Sequence, residues 1–488
     1  MIRVLLKGHQ QYYGFRSLLS MFAGSVQRIE KSVGGERLKG FAGEGPELWL
    51  LSVLEKEGPA IYRLEEEGGQ LKKAACLEQA PPAPDLKRQL KRQFYRVLSQ
   101  LTGIAYPWGS LTGIRPTYVA SELLRESGRE KSLQILEKRY GLKKEKAELA
   151  LATAAAEEAL LRRLPEKTYA AYIGVPFCPT RCAYCSFTTP EAVSKDPQKR
   201  EAYLDLVSRE IKQFEALSKG SDAHLKALYF GGGTPAALSE EELRRLLDSA
   251  FRLPLREDTE ITFEAGRIDV LNEEKLKILA AYGIRNICLN PQSLNEATLR
   301  RVGREGSIAR FFELFEAARR CGMKRINCDL IAGLDEDPRE LISHVKRLSA
   351  LGAESITLHT LALKRGSARD EARKAAGKDK RILPEQDLEE ALHAAQLLLQ
   401  EEGYRPYYLY RQKYGRGGLE NTAFARPGEE CVYNIIMMSD LYPVAGFGSP
   451  AVSKCFSGGK VKRLAAAKSL SAYLGGGERL LKKKKEFF

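Results

Sequence analysis

The chain lacks any apolar run approaching the ~20 residues that a membrane span requires, although 43% of its 488 residues are hydrophobic. That argues against an integral membrane protein and leaves length for about two to four domains with at least one large core. Its opening, "MIRVLLKGHQ", is too short and too soon polar for a secretory signal. The expected location is cytoplasmic. Cysteine is also scarce, with nine in all. In a reducing compartment, an odd count with one tight cluster argues for metal or redox chemistry over a disulfide framework. No aromatic-interleaved single-strand nucleic-acid motif accompanies the basic excess of the flanking segments.

The charge is unevenly spread. Of a net +15, residues 1–165 carry +8 and residues 451–488 another +8, which leaves 166–450 at −1. The flanks present a basic surface that could attract an acidic partner without that partner being the substrate. A solvated surface is favoured over a nucleic-acid site. The final "LLKKKKEFF" reads as a disordered tail.

Three domains are expected. Residues 1–165 combine short alternating stretches, "IRVLLKGH", "ELWLLSVLEKEG" and "AIYRLEEEGG", with helical spacing after the linker "QAPPAPD". They form a small α+β N-terminal domain ended by Pro165. Residues 166–365 alternate strand with amphipathic helix six times, the strands being "TYAAYIGVP", "KALYFGG", "TEITFEAG", "RNICLNP", "KRINCDLIAGL" and "ESITLHTL". This is an α/β pattern for a parallel sheet, either a partial or complete (β/α) barrel or an open doubly wound sheet. Residues 366–488 form a C-terminal region expected to cover the substrate. It begins in the charge-rich, weakly structured "KRGSARDEARKAAGKDKRILP" and continues through a helix at 385–402 and the Tyr-rich "YRPYYLYRQKYG".

"GVPFCPTRCAYCSF" places Cys178, Cys182 and Cys185 on the loop after the first strand of the alternating region, the edge where parallel α/β folds carry their sites. Three thiolates can hold three corners of a four-iron cube and leave one iron open to a small molecule. Zinc is the alternative, but no fourth Cys or His lies within finger spacing, and the next His downstream is His224. Glycines of "YFGGGTP" end the second strand. Glu264 in "TFEAG", Gln292 and Arg304 in "NPQSLNEATLRRVGR", and Asp329 in "NCDLIAGL" stand at or just beyond the third, fourth and fifth. Polar residues at one edge, in register with the cysteine loop, describe a site better than capping does.

CxxxCxxC preceded by "YIGVPF" resembles the radical S-adenosylmethionine (SAM) superfamily, and the remaining motifs resemble its oxygen-independent coproporphyrinogen III oxidase family, from about residue 168 to 455. The "YNIIMMSDLYPVAGFGSPAVS" segment is similar to that family's C-terminal Tyr-Asn and Gly-x-Gly signature. The "PWGSLTGIRPTY" segment is similar to the HemZ-type branch. The resemblance implies a radical SAM barrel, a [4Fe-4S] cluster on Cys178, Cys182 and Cys185, and S-adenosyl-L-methionine on the open iron. It further implies SAM contacts from Tyr172, Gly232, Gly233, Thr234, Glu264, Gln292, Arg304 and Asp329, with Tyr184 under the adenine. No side chain is assigned as an acid–base catalyst. The implied partners are a tetrapyrrole substrate and a reducing electron donor such as flavodoxin or ferredoxin.

The chain departs from the best characterised branch at Gly174, where that branch has His, at Phe187, where it has a further Cys, and at Ile435 and Ile436, where it has Tyr-Trp. Phe187 is shared with haem-chaperone relatives. Oxidative decarboxylation of coproporphyrinogen III propionates to vinyls is the expected reaction. A haem-binding chaperone, a radical SAM enzyme acting on another tetrapyrrole, and one acting on RNA are the alternatives. For the propionates, bidentate Arg is the apt partner, and Lys364, Arg365, Arg405 and Arg411 are candidates beside Tyr407, Tyr408 and Tyr410. His359 is a candidate ligand or proton carrier. Cys288, Cys321, Cys328 and Cys431 read as buried or incidental thiols.

Overall fold

A computed structural model of the chain describes residues 1–23, 26–29, 48–67, 70–186, 191–377, 383–457 and 460–488. Phe187 and residues 378–382 of the charge-rich stretch lie outside the described residues. Two compact units divide the chain. One comprises Met1–Leu151, Arg373–Gln386 and Tyr410–Glu420, and the other Ala152–Ala372, Asp387–Leu409 and Asn421–Phe488.

The first unit is built on β1 (Ile2–Lys7), β2 (Val26–Ile29), β3 (Leu48–Glu55), β4 (Gly58–Glu67) and β5 (Gln70–Gln79), ordered β2-β1-β3-β4-β5. Strand β1 is parallel to β2 and β3, while β3, β4 and β5 form an antiparallel meander. Alternation decides the layers: Val4, Leu50 and Ile61 meet Phe15, Leu18, Phe94 and Leu98 from the helices Tyr12–Phe22 and Leu86–Thr102. Leu5, Leu51, Val53 and Leu64 gather separately. After the Pro-rich linker, the Asp85 carboxylate accepts the Arg88 N–H at 2.9 Å and starts the second helix, and Gly103 in the left-handed region (φ 68°) ends it.

Inside this unit, the Glu420 carboxylate accepts from Lys146 Nζ and from Trp108 Nε1, each at 2.7 Å. Neither charged side chain of the Lys146–Glu420 pair is exposed. A buried pair adds little over an apolar replacement, but removing one member strands the other charge. Glu420→Ala is therefore expected to destabilise this unit by about 3–5 kcal/mol, measured as loss of its urea transition. A change within 1 kcal/mol, read against the linear-extrapolation error, would show that Lys146 finds water.

Arg411 belongs to the same unit and is buried. It donates to the carbonyls of Leu111 and Gly418 and lies over the Trp108 ring at 5.6 Å. The expectation that Arg411 holds substrate carboxylates is corrected: its guanidinium is consumed by backbone oxygens in a core.

The second unit carries β6 (Thr168–Val175), β7 (His224–Gly232), β8 (Glu260–Gly266), β9 (Asn286–Leu289), β10 (Arg325–Ala332), β11 (Ser355–Thr360), β12 (Arg405–Tyr410), β13 (Asn421–Ala425), β14 (Val444–Gly448), β15 (Val452–Ser457) and β16 (Lys460–Ala465). All six strands expected from the alternation are present. The sheet order is β12-β13-β11-β10-β9-β8-β7-β6-β14-β15-β16. Strands β6 to β11 and β14 run parallel, and β13, β15 and β16 are antiparallel additions. Sequence periodicity leaves barrel and open sheet undecided; among the described residues no pairing joins the edge strands β12 and β16. Strands such as β6 are buried along nearly their whole length, which explains why they read as continuous apolar runs.

The connecting helices start on sequence signals. Ser239 and Glu242 form a reciprocal capping box for Glu240–Ala250, and Asn295 caps Glu296–Arg301. The helix Val432–Ser439 packs Tyr433, Ile435 and Ile436 with Ala170, Ala227, Tyr229 and Tyr407. Its first amides, Val432 N and Tyr433 N, donate to Glu260 on β8 at 3.2 Å each, a cap from another element. Tyr407 is accordingly a core side chain, while Arg405 beside it is exposed.

The basic C-terminus is helical, contrary to the disordered tail expected. Helix Gly477–Phe487 lies on Pro197–Ser218, with Lys484 Nζ buried against Glu210 and the Gly446 carbonyl and Tyr473 donating to the same carboxylate. One lysine of the run faces inward and finds a buried acid, which a charge count cannot show. Part of the charge-rich stretch is likewise helical, at Ala368–Ala375.

Candidate active site

The cysteine loop leaves β6 at Val175 and is laced to its neighbours by backbone bonds. Gly233 N donates to Val175 O and Thr234 N to Phe177 O, each at 2.7 Å, while Ala183 N donates to Val302 O at 3.0 Å. Cys185 N reaches Cys182 O at 3.0 Å, closing a turn that brings the second and third thiols to the same side. Cys178 Sγ lies 3.5 Å from Thr234 Oγ1. Burial pushes the Cys178 thiol up to about 11, with Thr234 opposing.

The glycine motif is a matter of space. A Cβ on Gly233 would stand 2.6 Å from Phe177 O and 3.0 Å from Cys178 Sγ, and one on Gly231 would stand 2.9 Å from the Glu264 carboxylate. Only glycine lets the end of β7 close on both the cysteine loop and Glu264.

These elements border an open cleft lined by Cys178, Cys182, Cys185, Tyr184, Gly233, Thr234, Glu264, Gln292 and Arg304, together with Arg267 and Asn290. Nine of the twelve residues expected to hold the cluster and SAM thus share one cleft. Glu264 accepts from Tyr229 Oη at 2.7 Å. Burial raises its carboxyl to about 7, the nearby Asp329 adds to the rise, and the Tyr229 bond opposes it. Gln292 has a left-handed backbone (φ 68°) pinned by Gln292 N to Asp329 O and Ile331 N to Gln292 O, both 2.8 Å. Its buried Oε1 has no partner among the described residues. Arg304 donates to Asn290 O at 2.7 Å, Gly266 O at 3.2 Å and Tyr184 Oη at 3.3 Å. Tyr184 packs on Val302, Ile331, Leu334 and Leu361.

Three predicted residues are outside the cavity wall. Gly232 (φ 114°) packs against the Val175 backbone, where a Cβ would stand 2.9 Å from Val175 O. Tyr172 stacks with Tyr229 at 6.2 Å and with Tyr433 at 5.8 Å between ring centroids. Asp329 accepts from Asn327 Nδ2 at 2.7 Å and faces His359 Nε2 at 3.5 Å. Burial pushes the Asp329 carboxyl up, but His359, Asn327 and Thr357 together hold it below its ordinary value. His359 therefore has a structural partner in Asp329. The sequence reading missed Asn290 and Arg267. Asn290 opens the quoted "NPQS" motif, and Arg267 directly follows the glycine that ends β8, so position alone was the available signal.

The donor set suits an iron–sulfur cube. Its three cysteines open on one cleft, and thiolates are the ligands iron–sulfur clusters take. The cleft also offers the Gln292 amide oxygen, unpaired among the described residues, to a ligand with donors.

Residues 172–348 match the Radical SAM superfamily, whose members use a [4Fe-4S] cluster and SAM. The chain is 35% identical to the oxygen-independent coproporphyrinogen-III oxidase-like protein HemZ of Bacillus subtilis (strain 168), over 80% of this chain and 78% of that protein. It belongs to that HemZ-like coproporphyrinogen III oxidase family. The heme chaperone HemW of the same organism is 33% identical over 39% of this chain and half of its own length. Among solved structures, coproporphyrinogen III oxidase (HemN) from Escherichia coli, described as a radical SAM enzyme, superposes with a TM-score of 0.50 at 24% identity, covering 67% of this chain and 72% of that one. That likeness establishes the radical SAM α/β fold. Among the described residues no helix is long and apolar enough to cross a membrane.

Proposed function

We propose that the chain is an oxygen-independent coproporphyrinogen III dehydrogenase, converting two propionates of the substrate to vinyls and so forming protoporphyrinogen IX. The observation that supports it is the cleft itself: three cysteines face an acid, an amide and an arginine in a chain 35% identical to HemZ over most of its length. In this reading Cys178, Cys182 and Cys185 hold the cluster. Gly233, Thr234, Glu264, Gln292 and Arg304 surround SAM, Tyr184 supports its adenine, and Tyr172, Gly232 and Asp329 back the site from behind. Held at these residues, the cluster and SAM would supply the radical chemistry needed to remove one hydrogen atom from the β-carbon of a propionate. Loss of carbon dioxide and of one electron to an acceptor then leaves the vinyl group. The protein's part is to orient the propionate and exclude water. Lys364 and the exposed Arg365, which follow β11, are the cations proposed to hold carboxylates. Arg405 starts β12 next to Tyr404, whose hydroxyl donates to Ala353 O ahead of β11, so it lies at the sheet edge opposite the cysteine loop and away from the cleft. A low-potential donor such as flavodoxin or ferredoxin supplies the electron that starts each turnover.

The test is an anaerobic incubation of reconstituted protein with SAM, reductant, an electron acceptor and coproporphyrinogen III, followed by mass spectrometry of the oxidised porphyrins. One methionine and one 5'-deoxyadenosine per vinyl is the expected stoichiometry. The second reading is a haem chaperone, favoured by Phe187 and by the HemW likeness. Stoichiometric haem binding with every propionate left intact would replace the first reading by the second.

A further inference from the structure

Arg267 has no part in the assignments above, yet it is among the most constrained cations in the second unit. It is 4% exposed. Its Nε donates to Asp269 Oδ1 at 2.8 Å and its Nη2 to Asp269 Oδ2 at 2.6 Å. That fork-to-carboxylate pairing fixes the guanidinium plane and aims the remaining nitrogen. Nη1 lies 3.4 Å from Cys182 Sγ and 3.4 Å from Thr180 O. A guanidinium held only for packing would find oxygen partners for its donors; this one directs an N–H at a sulfur.

We propose that Arg267 is a positioning residue that sets the reduction potential of the cluster, by donating a hydrogen bond to Cys182 Sγ and holding a permanent positive charge beside it. The proposal rests on the reading that Cys182 is a cluster ligand. The physical argument is direct. One-electron reduction adds a negative charge to the cluster, and hydrogen bonds to its sulfurs and the local net charge govern the cost of that addition. A buried guanidinium, which stays charged at any working pH, favours the reduced form. Asp269 has two opposed effects: it aims the guanidinium and offsets part of its charge. Arg304, whose charge also bears on Cys182, remains in place when Arg267 is changed, so the shift is partial.

The experiment uses full-length protein reconstituted anaerobically without SAM or substrate. Iron and sulfide are determined first, and the cluster is then titrated against poised potential by electron paramagnetic resonance, in wild type, Arg267→Gln, Arg267→Lys and Asp269→Asn. At a fixed potential the ratio of reduced to oxidised cluster is expected to fall about tenfold in Arg267→Gln, equivalent to about 59 mV for a one-electron couple. Arg267→Lys, which keeps charge but not the fork, should lie between. Asp269→Asn should move the other way, because the offsetting negative charge is gone while the amide oxygen can still accept from Arg267 Nε and keep the guanidinium aimed. If Arg267→Gln assembles no cluster, the signs of the other two variants decide. A wild-type midpoint in Arg267→Gln, or a fall in Asp269→Asn, would overturn the proposal. Wild type devoid of iron and sulfide would show instead that the cluster reading fails, and this proposal with it.

Discussion

Alanine at Cys178, Cys182 or Cys185 is expected to strip the protein of its cluster, with iron and acid-labile sulfide falling to background in each single variant after anaerobic reconstitution. The effect should be all or nothing. A cube with one ligand-free iron already depends on three thiolates, and the cleft offers no other cysteine to take over: Cys288 and Cys328 are buried on β9 and β10, and Cys431 is buried at the start of the helix Val432–Ser439. Burial pushes those three thiols well above their ordinary value, so each stays protonated and inert. Cys288→Ala and Cys328→Ala are therefore the controls and should keep full iron. Circular dichroism separates cluster loss from unfolding, because the cysteine loop is anchored by backbone bonds from Gly233, Thr234 and Ala183 that no thiol contributes to. Full cluster absorption in the triple-alanine variant would overturn the assignment. Equal loss in the Cys288 control would mean that the wrong thiols were chosen.

Much of this site was legible before any coordinate, and the reason is the period of the fold. A parallel strand buried on both faces must be apolar along its length, and its chemistry is confined to the few residues after its last buried position. Glu264, Gln292 and Arg304 could thus be placed at one edge by counting alone. What could not be read were directions set by tertiary contact. Asp329 on β10 and Tyr172 on β6 belong to the same sheet but turn away from the cleft, Asp329 toward Asn327 and His359 and Tyr172 toward Tyr229 and Tyr433. Arg411 looked like a substrate cation because it follows an aromatic strand, and it is spent on two carbonyls. Lys484 sat in a run of four lysines and became the buried partner of Glu210. In each case the deciding partner is distant in sequence, and residue type alone is silent about such pairings.

The same distinction sharpens the expectation for SAM. Alanine at Glu264, Gln292, Arg304 or Asp329 is expected to weaken SAM binding to the reconstituted protein, but the four substitutions do not ask the same question. Arg304→Ala frees Tyr184 Oη and the carbonyls of Gly266 and Asn290, Glu264→Ala leaves Tyr229 Oη without its acceptor, and Asp329→Ala removes the partner of Asn327 and His359. Lost affinity in those variants therefore mixes contact with repacking. Gln292→Ala is the clean case. Its Oε1 is buried without a partner among the described residues, and its pinned backbone bonds survive the change. Leaving a buried polar group unsatisfied costs about 1–3 kcal/mol, a cost that a ligand donor removes on binding. Deleting the amide should then leave thermal stability unchanged or raised while SAM affinity falls about tenfold to a hundredfold, about 1.4 kcal/mol for each tenfold. Calorimetric titration of SAM beside a melting curve reads both quantities. A lowered melting temperature with unchanged SAM affinity would make Gln292 a strained element of the β9 to β10 connection, with no part in holding the cofactor.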